Sequence, residues 1–344
     1  MANMKQIAQL AGVSLGTVSH VLNGTVRVRE PLRKRVMDAV NVTGYQPNQL
    51  ARGLRREKTN IMAMIIPDIL NPFFPGVVRG AEDVAFANGF RLVLCNTDND
   101  HEKEVAHLSA LQTYLPSGLI VIPSDSSDLT VQAEPYRKAG SAVVCLDRLP
   151  RNWGGDSVTV NSVAGAANAV THLIGLGHRN IAAITGPLHL TNSQDRLKGF
   201  KRALKTANIQ LPAGYIQETS FDRAGGYSKA KILFRMVPRP TAIMAFNDLI
   251  ALGALMAIHE ANLHCPRDIS LVGFDGLDLT EITTPQITSV YQSPYQLGAE
   301  AANLVLERLE NRSGAPRKIV LKTELRIRDS MGPAPRKPTG RSQS

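Results

Sequence analysis

Short apolar runs alternate with amphipathic stretches of helical period along most of the chain. A first series of apolar runs predicts strands at 61–66, 91–95, 119–122 and 142–146, with helices near 75–88, 101–115 and 128–140. A second series predicts strands at 181–184, 215–217, 242–246 and 270–274, with helices near 163–176, 195–208, 225–234 and 248–261. A last strand, helix and strand are predicted at 287–291, 294–311 and 319–326. Strands that alternate with helices form parallel sheets, so the pattern predicts two α/β units in tandem.

The beginning of the chain follows a different, all-helical pattern. Asn3 can cap a first helix that ends at Gly12, and Ser14 can cap a second helix. A third helix fits 31–43, with Gly44 as its stop. Two short helices joined by a glycine-containing turn predict a helix-turn-helix.

The charge of the chain is unevenly distributed. The net charge is +10, and the first 58 residues hold ten Lys/Arg against three Asp/Glu, whereas residues 59–331 hold 26 of each sign. Phosphate neutralisation provides most of the affinity for nucleic acids, so a basic front on a neutral body indicates DNA or RNA binding. The alternative at this point is a solvated basic face.

Composition and cysteine usage indicate a globular protein of the cytoplasm. The chain has 344 residues, of which 43% are hydrophobic and 20% charged. Its three cysteines cannot all pair within the chain, and two of them lie in apolar strand-like runs, which favours reduced packing residues. No apolar run approaches the roughly 18 residues of a membrane span, and the first residues lack the apolar stretch of a secretory signal.

Two segments carry a specific family resemblance. Residues 7–23 (IAQLAGVSLGTVSHVLN) and 44–55 (GYQPNQLARGLR) resemble the headpiece and hinge of the lactose-repressor (LacI) family almost residue for residue. The resemblance extends over essentially all of 1–330. It implies a bacterial-type transcriptional regulator that binds a near-palindromic DNA operator as a homodimer and responds to a small molecule.

The resemblance also implies which residues contact DNA. The second helix would enter the major groove, and two copies of the hinge would insert Leu54 into the minor groove. Among the base-reading positions, His20 can donate to a guanine acceptor, whereas Leu15 can only contact thymine methyls or ring edges. The alternatives are an ordinary exposed histidine and a plain linker helix. The implied DNA contacts are Ser14, Leu15, Gly16, Thr17, His20, Asn23, Asn48, Leu54 and Arg55.

The implied organisation is an all-α helix-turn-helix domain (1–46), a hinge helix and linker (47–59) and an α/β core (60–330) like a periplasmic sugar-binding protein. The core would consist of two parallel-sheet subdomains, about 60–160 plus 292–325 and about 161–291, with three crossings between them. Residues 331–344 are rich in proline and glycine and are expected to be disordered. Family members that tetramerise use a C-terminal leucine heptad; this tail has no leucine, so we expect a dimer.

Candidate effector-binding residues follow the predicted strands, because ligands of open parallel sheets lie at the carboxyl ends of the strands. Carboxylates, amides and arginines beside aromatic faces suit a polyhydroxyl ring. For Asn247, which directly precedes a helix, the alternative is a helix cap. His178 precedes a strand, at the other end of the sheet, and is interpreted as structural. By family match and position the candidates are Asn71, Phe73, Asp147, Arg148, Arg196, Phe221, Asn247 and Asp275.

Other function classes find little support in the sequence. It has no P-loop, no dinucleotide-binding glycine pattern and no metal-ligand spacing. Residues 12–16 spell G-x-S-x-G, but this motif needs a preceding strand and here joins two helices. We therefore expect no enzyme activity, no cofactor and no metal.

A sugar or sugar derivative is the expected effector, with a purine or nucleoside as the alternative because Phe221 can equally stack on a base. A non-DNA sugar-binding protein is the remaining alternative. Whether the effector releases or promotes DNA binding, or a protein partner intervenes, stays open.

Overall fold

The computed structural model describes residues 3–23, 26–44 and 59–335, which fall into two compact units, Met1–Thr59 and Asn60–Ser344. The described residues of the first unit form three helices: α1 (Met4–Ala11), α2 (Leu15–Asn23) and α3 (Glu30–Thr43). Their apolar faces enclose a small core made of Ile7, Ala11, Val18, Val36 and Ala39.

The ends of these helices agree with the sequence prediction. Asn3 and Gln6 form a reciprocal capping box, with N···O distances of 3.0 and 2.9 Å. Gly12 and Gly44 end α1 and α3 with φ of 59° and 60°, a left-handed conformation that glycine adopts without strain. Arg29 precedes α3 and makes no side-chain cap, as its chemistry predicts.

The second unit contains two six-stranded sheets. The first has the order β11-β5-β4-β3-β1-β2, and all its pairs are parallel. Its strands are β1 (Ile61–Ile66), β2 (Arg91–Asn96), β3 (Gly118–Val121), β4 (Ala142–Leu146), β5 (Asp156–Val160) and β11 (Lys318–Leu321). The second has the order β12-β10-β9-β8-β6-β7, with only β12 antiparallel. Its strands are β6 (Ile181–Thr185), β7 (Ile216–Glu218), β8 (Ala242–Ala245), β9 (Ser270–Asp275), β10 (Thr288–Tyr291) and β12 (Glu324–Arg326).

Helices cover both faces of each sheet. The first sheet packs against α4 (Phe73–Ala87), α5 (His101–Gln112), α6 (Thr130–Lys138) and α11 (Pro294–Glu310). The second packs against α7 (Ser162–Gly175), α8 (Thr191–Thr206), α9 (Arg223–Phe234) and α10 (Asp248–Glu260). Along β1, Met62 and Met64 belong to the core under α4 and α11, whereas Ala63 and Ile65 belong to the core under α5 and α6. Burial on both faces explains why the strands read as continuous apolar runs.

Two strand predictions are corrected by the structure. Residues 156–160 (DSVTV) form β5, which the apolar pattern did not predict because polar and apolar residues alternate there. The predicted strand 319–326 is two strands, because β11 pairs with β5 in the first sheet and β12 pairs with β10 in the second. The third crossing between subdomains therefore lies at 322–323 rather than after 325.

The beginning of the predicted disordered tail is also different in the structure. Met331 is buried in the core of the second subdomain, and the Ala334 amide donates to Leu176 O at 2.9 Å. His178 lies 3.0 Å from Gly332 O through Nε2 and 2.9 Å from Thr241 Oγ1 through Nδ1, which agrees with its structural interpretation. The expectation of disorder is thus wrong for 331–335, where these bonds and contacts fix the chain; residues 336–344 lie outside the described residues.

Helices α4 and α11 pack so closely that glycine is required at their contact. A Cβ atom on Gly298 would overlap the carbonyl oxygen of Val77, and one on Gly80 would overlap the carbonyl oxygen of Tyr295. The two helices therefore approach through backbone atoms rather than through side chains.

We expect Gly298→Ala to lower the free energy of unfolding of the body by about 1–3 kcal/mol, because the added methyl group forces the two helices apart. Urea unfolding followed by circular dichroism measures the effect. Gly175→Ala is the matched control, since its Cβ would meet no heavy atom within 4 Å, and it should leave the midpoint unchanged or slightly higher. Equal midpoints for Gly298→Ala and the unsubstituted protein would contradict the packing argument.

Candidate functional site

A cavity of about 240 Å³ lies between the two subdomains of the body, at the carboxyl ends of their strands. All eight residues that the sequence predicted as effector contacts line it, together with three that were not predicted. The predicted ones are Asn71, Phe73, Asp147, Arg148, Arg196, Phe221, Asn247 and Asp275; the others are Phe74, Asn192 and Gln292.

On the side of the second subdomain, Arg196 forms the centre of a buried polar network. Its guanidinium lies 3.4 Å from the Asp275 carboxylate, donates to Phe246 O and stacks 3.8 Å from the centroid of the Phe274 ring. Asp275 also accepts a hydrogen bond from Gln292 Nε2 at 2.7 Å. Arg196 is 2% exposed, so this network holds its guanidinium in one orientation at the cavity wall.

On the side of the first subdomain, Asp147 and Arg148 directly follow β4. The Arg148 guanidinium donates to Asn99 Oδ1 at 3.0 Å and lies 3.9 Å from Asp147 Oδ2. Asp147 Oδ2 also accepts from Asn192 Nδ2 of the other subdomain at 3.1 Å. This bond connects the two walls of the cavity, so Asn192 couples the position of Asp147 to the relative position of the subdomains.

The two cavity carboxylates sit on unusual backbone. Asp147 has φ 62° and Asp275 has φ 111°, a region that residues with a side chain rarely adopt. Such strained positions cluster at functional sites, because the surrounding structure must hold them in place. Both aspartates are therefore oriented into the cavity at a conformational cost.

Phenylalanines provide the apolar surfaces. A Cβ on Gly186 would overlap the outer edge of the Phe221 ring, so this glycine leaves room for the ring beside the backbone. The centroid of Phe221 is 5.9 Å from the guanidinium carbons of both Arg148 and Arg196. Phe73 and Phe74 pack edge to face at 5.3 Å. The cavity thus combines aromatic walls with a polar rim.

Asn247 is a helix cap and also lies at the cavity wall. Its Oδ1 accepts from the Ile250 amide at 2.8 Å and caps α10, while its Nδ2 lies 3.3 Å from Phe221 O at the cavity. Asn71 similarly accepts from the Phe73 amide at 3.1 Å. The cap fixes the Asn247 side chain at the cavity wall, and the turn before α4 fixes that of Asn71.

Several polar atoms at the cavity are buried and have no hydrogen-bond partner within the described parts of the chain. An unpaired buried polar atom costs about 1–3 kcal/mol, so four of them on one cavity indicate a site for a polar ligand. Both acceptors and donors are present, which a hydroxyl group can satisfy. The atoms are Asp147 Oδ1, Arg148 Nε, Arg196 Nε and Gln292 Oε1.

Behind the cavity lies a third buried carboxylate, Asp248. It accepts hydrogen bonds from Ser289 Oγ at 2.6 Å and from the Leu277 amide at 2.7 Å. Burial raises the pKa of Asp248 to about 7, and burial also raises the pKa of Asp275, which Arg196 opposes. The native state therefore binds a proton on Asp248 at pH values where the unfolded chain does not.

We expect stability to fall as pH rises from about 4 to about 7, with Asp248 contributing up to about 1.4 kcal/mol per pH unit, because the native state holds the extra proton. In Asp248→Asn the amide oxygen can accept from Leu277 and the amide nitrogen can donate to Ser289. The variant therefore keeps both hydrogen bonds but has no group at this position that titrates. Urea midpoints between pH 5 and pH 8 should then have a smaller slope than in the unsubstituted protein. Parallel slopes for the two proteins would refute the assignment.

In the first unit, α2 exposes the residues expected to contact DNA. Ser14 caps the helix by accepting from the Thr17 amide at 3.1 Å, and its Oγ lies 2.9 Å from Thr17 Oγ1. Leu15, Gly16 and His20 are exposed. Asn23 is the last residue of α2, and Asn48, Leu54 and Arg55 lie outside the described residues.

None of the described helices is both long and apolar enough to cross a membrane. In the same residues no three His, Cys, Asp or Glu side chains are grouped to hold a metal ion.

Comparison with known families matches the two units separately. Residues 3–48 match bacterial regulatory proteins of the lacI family, and residues 170–331 match the periplasmic binding protein-like domain. The chain is 35% identical to the ribose operon repressor of Escherichia coli (strain K12) over 309 residues, which cover 90% of this chain and 93% of the relative. It is 33% identical to the HTH-type transcriptional repressor PurR of Aliivibrio salmonicida over 331 residues, covering 96% and 99%.

Solved structures give the same result. The lac repressor dimer bound to operator and the anti-inducer ONPF superposes with a TM-score of 0.84 and 25% identity, covering 96% of this chain and 99% of that one. A LacI family transcriptional regulator from Enterococcus faecium with bound ribose superposes with a TM-score of 0.71 and 28% identity, covering 79% and 99%.

Proposed function

The chain belongs to the LacI family of bacterial regulatory proteins, and on this premise we propose that its effector is an unphosphorylated pentose, D-ribose being the candidate. It is a ligand-responsive, sequence-specific DNA-binding regulator whose dimer binds operator DNA. The relatives are repressors and not enzymes, so we propose a regulator without enzyme activity that functions in the cytoplasm.

The charge balance of the cavity carries the proposal. Its walls hold two arginines and two aspartates, and each arginine lies within 4 Å of an aspartate. Neither guanidinium is left over for a phosphate group, so the cavity suits a neutral ligand. Bound hydroxyl groups can both donate to the carboxylates and accept from the guanidiniums.

Size favours a single ring. About 240 Å³ of space between the cavity walls is not filled by protein atoms, and part of it is open to solvent. Phe221 can cover one apolar face of a sugar ring, while amides and charged groups surround its edge. A disaccharide or a nucleoside contains two rings and needs more of this space than a pentose does.

The relatives support both a sugar and a purine. A ribose operon repressor and a structure with bound ribose favour the pentose, whereas PurR relatives favour a purine. A purine base needs apolar contacts on both flat faces, and its donors and acceptors are fixed in the plane of the ring, whereas each hydroxyl of a sugar can donate or accept. The four unpaired atoms of the cavity therefore favour the polyhydroxyl ligand.

Calorimetric titration of the purified dimer with D-ribose, D-xylose, hypoxanthine and guanine tests the proposal. We expect saturable binding of ribose, one per chain, with xylose weaker and the purines without heat. Tight binding of hypoxanthine in the absence of ribose binding would overturn it.

We further propose that the effector releases the operator, so that ribose induces transcription. Fluorescence anisotropy with labelled operator, with and without ribose, decides the direction. Tighter operator binding in the presence of ribose would instead make ribose a corepressor.

His20 is the residue of α2 that we propose for base readout. Replacing it by alanine is expected to cost about 1–3 kcal/mol for the preferred base at one symmetric pair of operator positions, because one direct hydrogen bond per half-site is lost. Selection from a random double-stranded DNA pool, compared between the two proteins, reveals the altered positions. Gln9→Ala, an exposed change on α1, is the control and should retain the original sequence preference. A uniform loss of affinity over all sequences would show that His20 reads no base.

A further inference from the structure

The body contains a second groove on the edge of the first sheet opposite to the effector cavity. It lies at the amino ends of β4, β5 and β11, whereas the effector cavity lies at the carboxyl ends of the strands. The groove is open and encloses about 1310 Å³. Its charged and amide-bearing side chains are Arg137, Lys138, Asn152, Asp156, Arg308 and Arg312.

Four cations and one carboxylate line this groove, but the cations are not equivalent. Arg308 is neutralised by Asp156, to which it donates two hydrogen bonds of 2.7 Å. Lys138 lies 3.6 Å from the carboxylate of Glu134. Arg137 and Arg312 have no acidic side chain within 4 Å in the parts of the chain that the structure describes. Two guanidiniums are thus available to an anion.

Both guanidiniums lie at the groove, where Arg137 is half-buried and Arg312 is exposed. The Arg137 head lies 4.7 Å from the centroid of the Trp153 ring, which fixes its plane. A Cβ on Gly155 would lie 2.6 Å from Arg137 Nη2, and a Cβ on Gly140 would lie 2.5 Å from Arg312 Nη1. Each arginine head therefore lies directly beside a glycine, which leaves room for it at the groove.

We propose that this groove is a second ligand site, which binds a small phosphate ester independently of the effector cavity. Planar guanidinium forks match the oxygens of a phosphate and bind it through paired hydrogen bonds. The Asn152 amide and the Thr130 hydroxyl on the same wall can bind the hydroxyl groups of the ester. The effector cavity offers no free cation, so the two sites select opposite classes of ligand, one neutral and one anionic.

Calorimetric titration of the full-length dimer with glycerol 3-phosphate at constant ionic strength tests the proposal, with glycerol as the neutral probe. We expect saturable binding of one glycerol 3-phosphate per chain and no binding of glycerol. Arg137→Gln and Arg312→Gln should each weaken the binding at least 10-fold. Lys205→Gln, which removes an exposed cation from α8 in the other subdomain, should leave it unchanged.

Three outcomes would overturn the proposal. Heat that does not saturate, or an equal loss in Lys205→Gln, would mean that phosphate interacts only with the overall charge of the protein. If the protein binds no glycerol 3-phosphate, and Arg137→Gln and Arg312→Gln bind the operator more weakly, the groove contacts the DNA backbone instead. Thermal unfolding of each variant establishes that the fold is intact before any loss is interpreted.

Discussion

Arg196→Ala is expected to weaken effector binding by about 10–10²-fold while operator binding persists, because the ligand loses a charged hydrogen-bond donor, an interaction worth about 1.5–3 kcal/mol. The guanidinium of Arg196 balances Asp275, donates to Phe246 O and covers the Phe274 ring. Without it Asp275 is left buried beside Asp248, a second carboxyl group whose burial also raises its pKa. The ligand then meets a wall that has lost a donor and on which the Asp275 carboxyl group has lost its partner.

Operator affinity is measured by fluorescence anisotropy with and without ribose. A variant that still binds the operator but no longer responds to ribose is folded and has lost effector binding. Arg202→Ala removes an exposed arginine from the same helix and should retain the full ribose response. Arg196→Lys keeps the positive charge but not the planar fork, so we expect it to recover only part of the affinity. If Arg196→Ala does not fold, Asp275→Asn tests the same pair with a nearly isosteric change. A ribose response that survives both substitutions would remove this ion pair from the effector site.

Much of the fold could be predicted because parallel strands buried on both faces leave a simple pattern. Residues 61–66 and 242–246 are unbroken apolar runs, and their type and approximate bounds agree with β1 and β8. The strand at 156–160 could not be found in the same way, since its polar residues Asp156 and Ser157 are buried by tertiary contacts. Residues 319–326 form two strands because each half pairs with a different sheet. The local sequence pattern does not indicate which sheet a strand joins.

The candidate site was largely predictable from position and family resemblance together. Gln292 directly follows β10, so the same rule that selected residues after the other strands could have found it. Asn192 lies in the first turn of α8 and reaches Asp147 only because the two subdomains face each other. That contact, and the positive φ of Asp147, have no local signal. The hinge residue Leu54 stays a prediction, since it lies outside the described residues.

The proposed hydroxyl readout has a consequence for ligand specificity. The buried polar atoms of the cavity include Asp147 Oδ1 and Gln292 Oε1 as acceptors and Arg148 Nε and Arg196 Nε as donors. A ligand hydroxyl that pairs with such an atom removes a desolvation cost. An analogue without that hydroxyl restores the cost, because the protein atom stays buried and unpaired.

We therefore expect 2-deoxyribose to bind at least about 100-fold more weakly than ribose, because a site built to bond a hydroxyl rejects analogues that lack it. We expect the same of at least one of 3-deoxyribose and 5-deoxyribose. Calorimetry at one pH and ionic strength gives the ratios. Asp147→Ala should lower the affinity for ribose. For the analogue that lacks the hydroxyl bound by Asp147, the ratio of its affinity to that of ribose should move closer to one, because this variant has no acceptor left to stay unpaired. Ratios that stay the same in this variant would place the hydroxyl elsewhere on the cavity wall. Equal affinities of ribose and all three deoxy analogues would mean that the cavity binds the ring through its apolar faces. A purine would then be the preferred candidate effector.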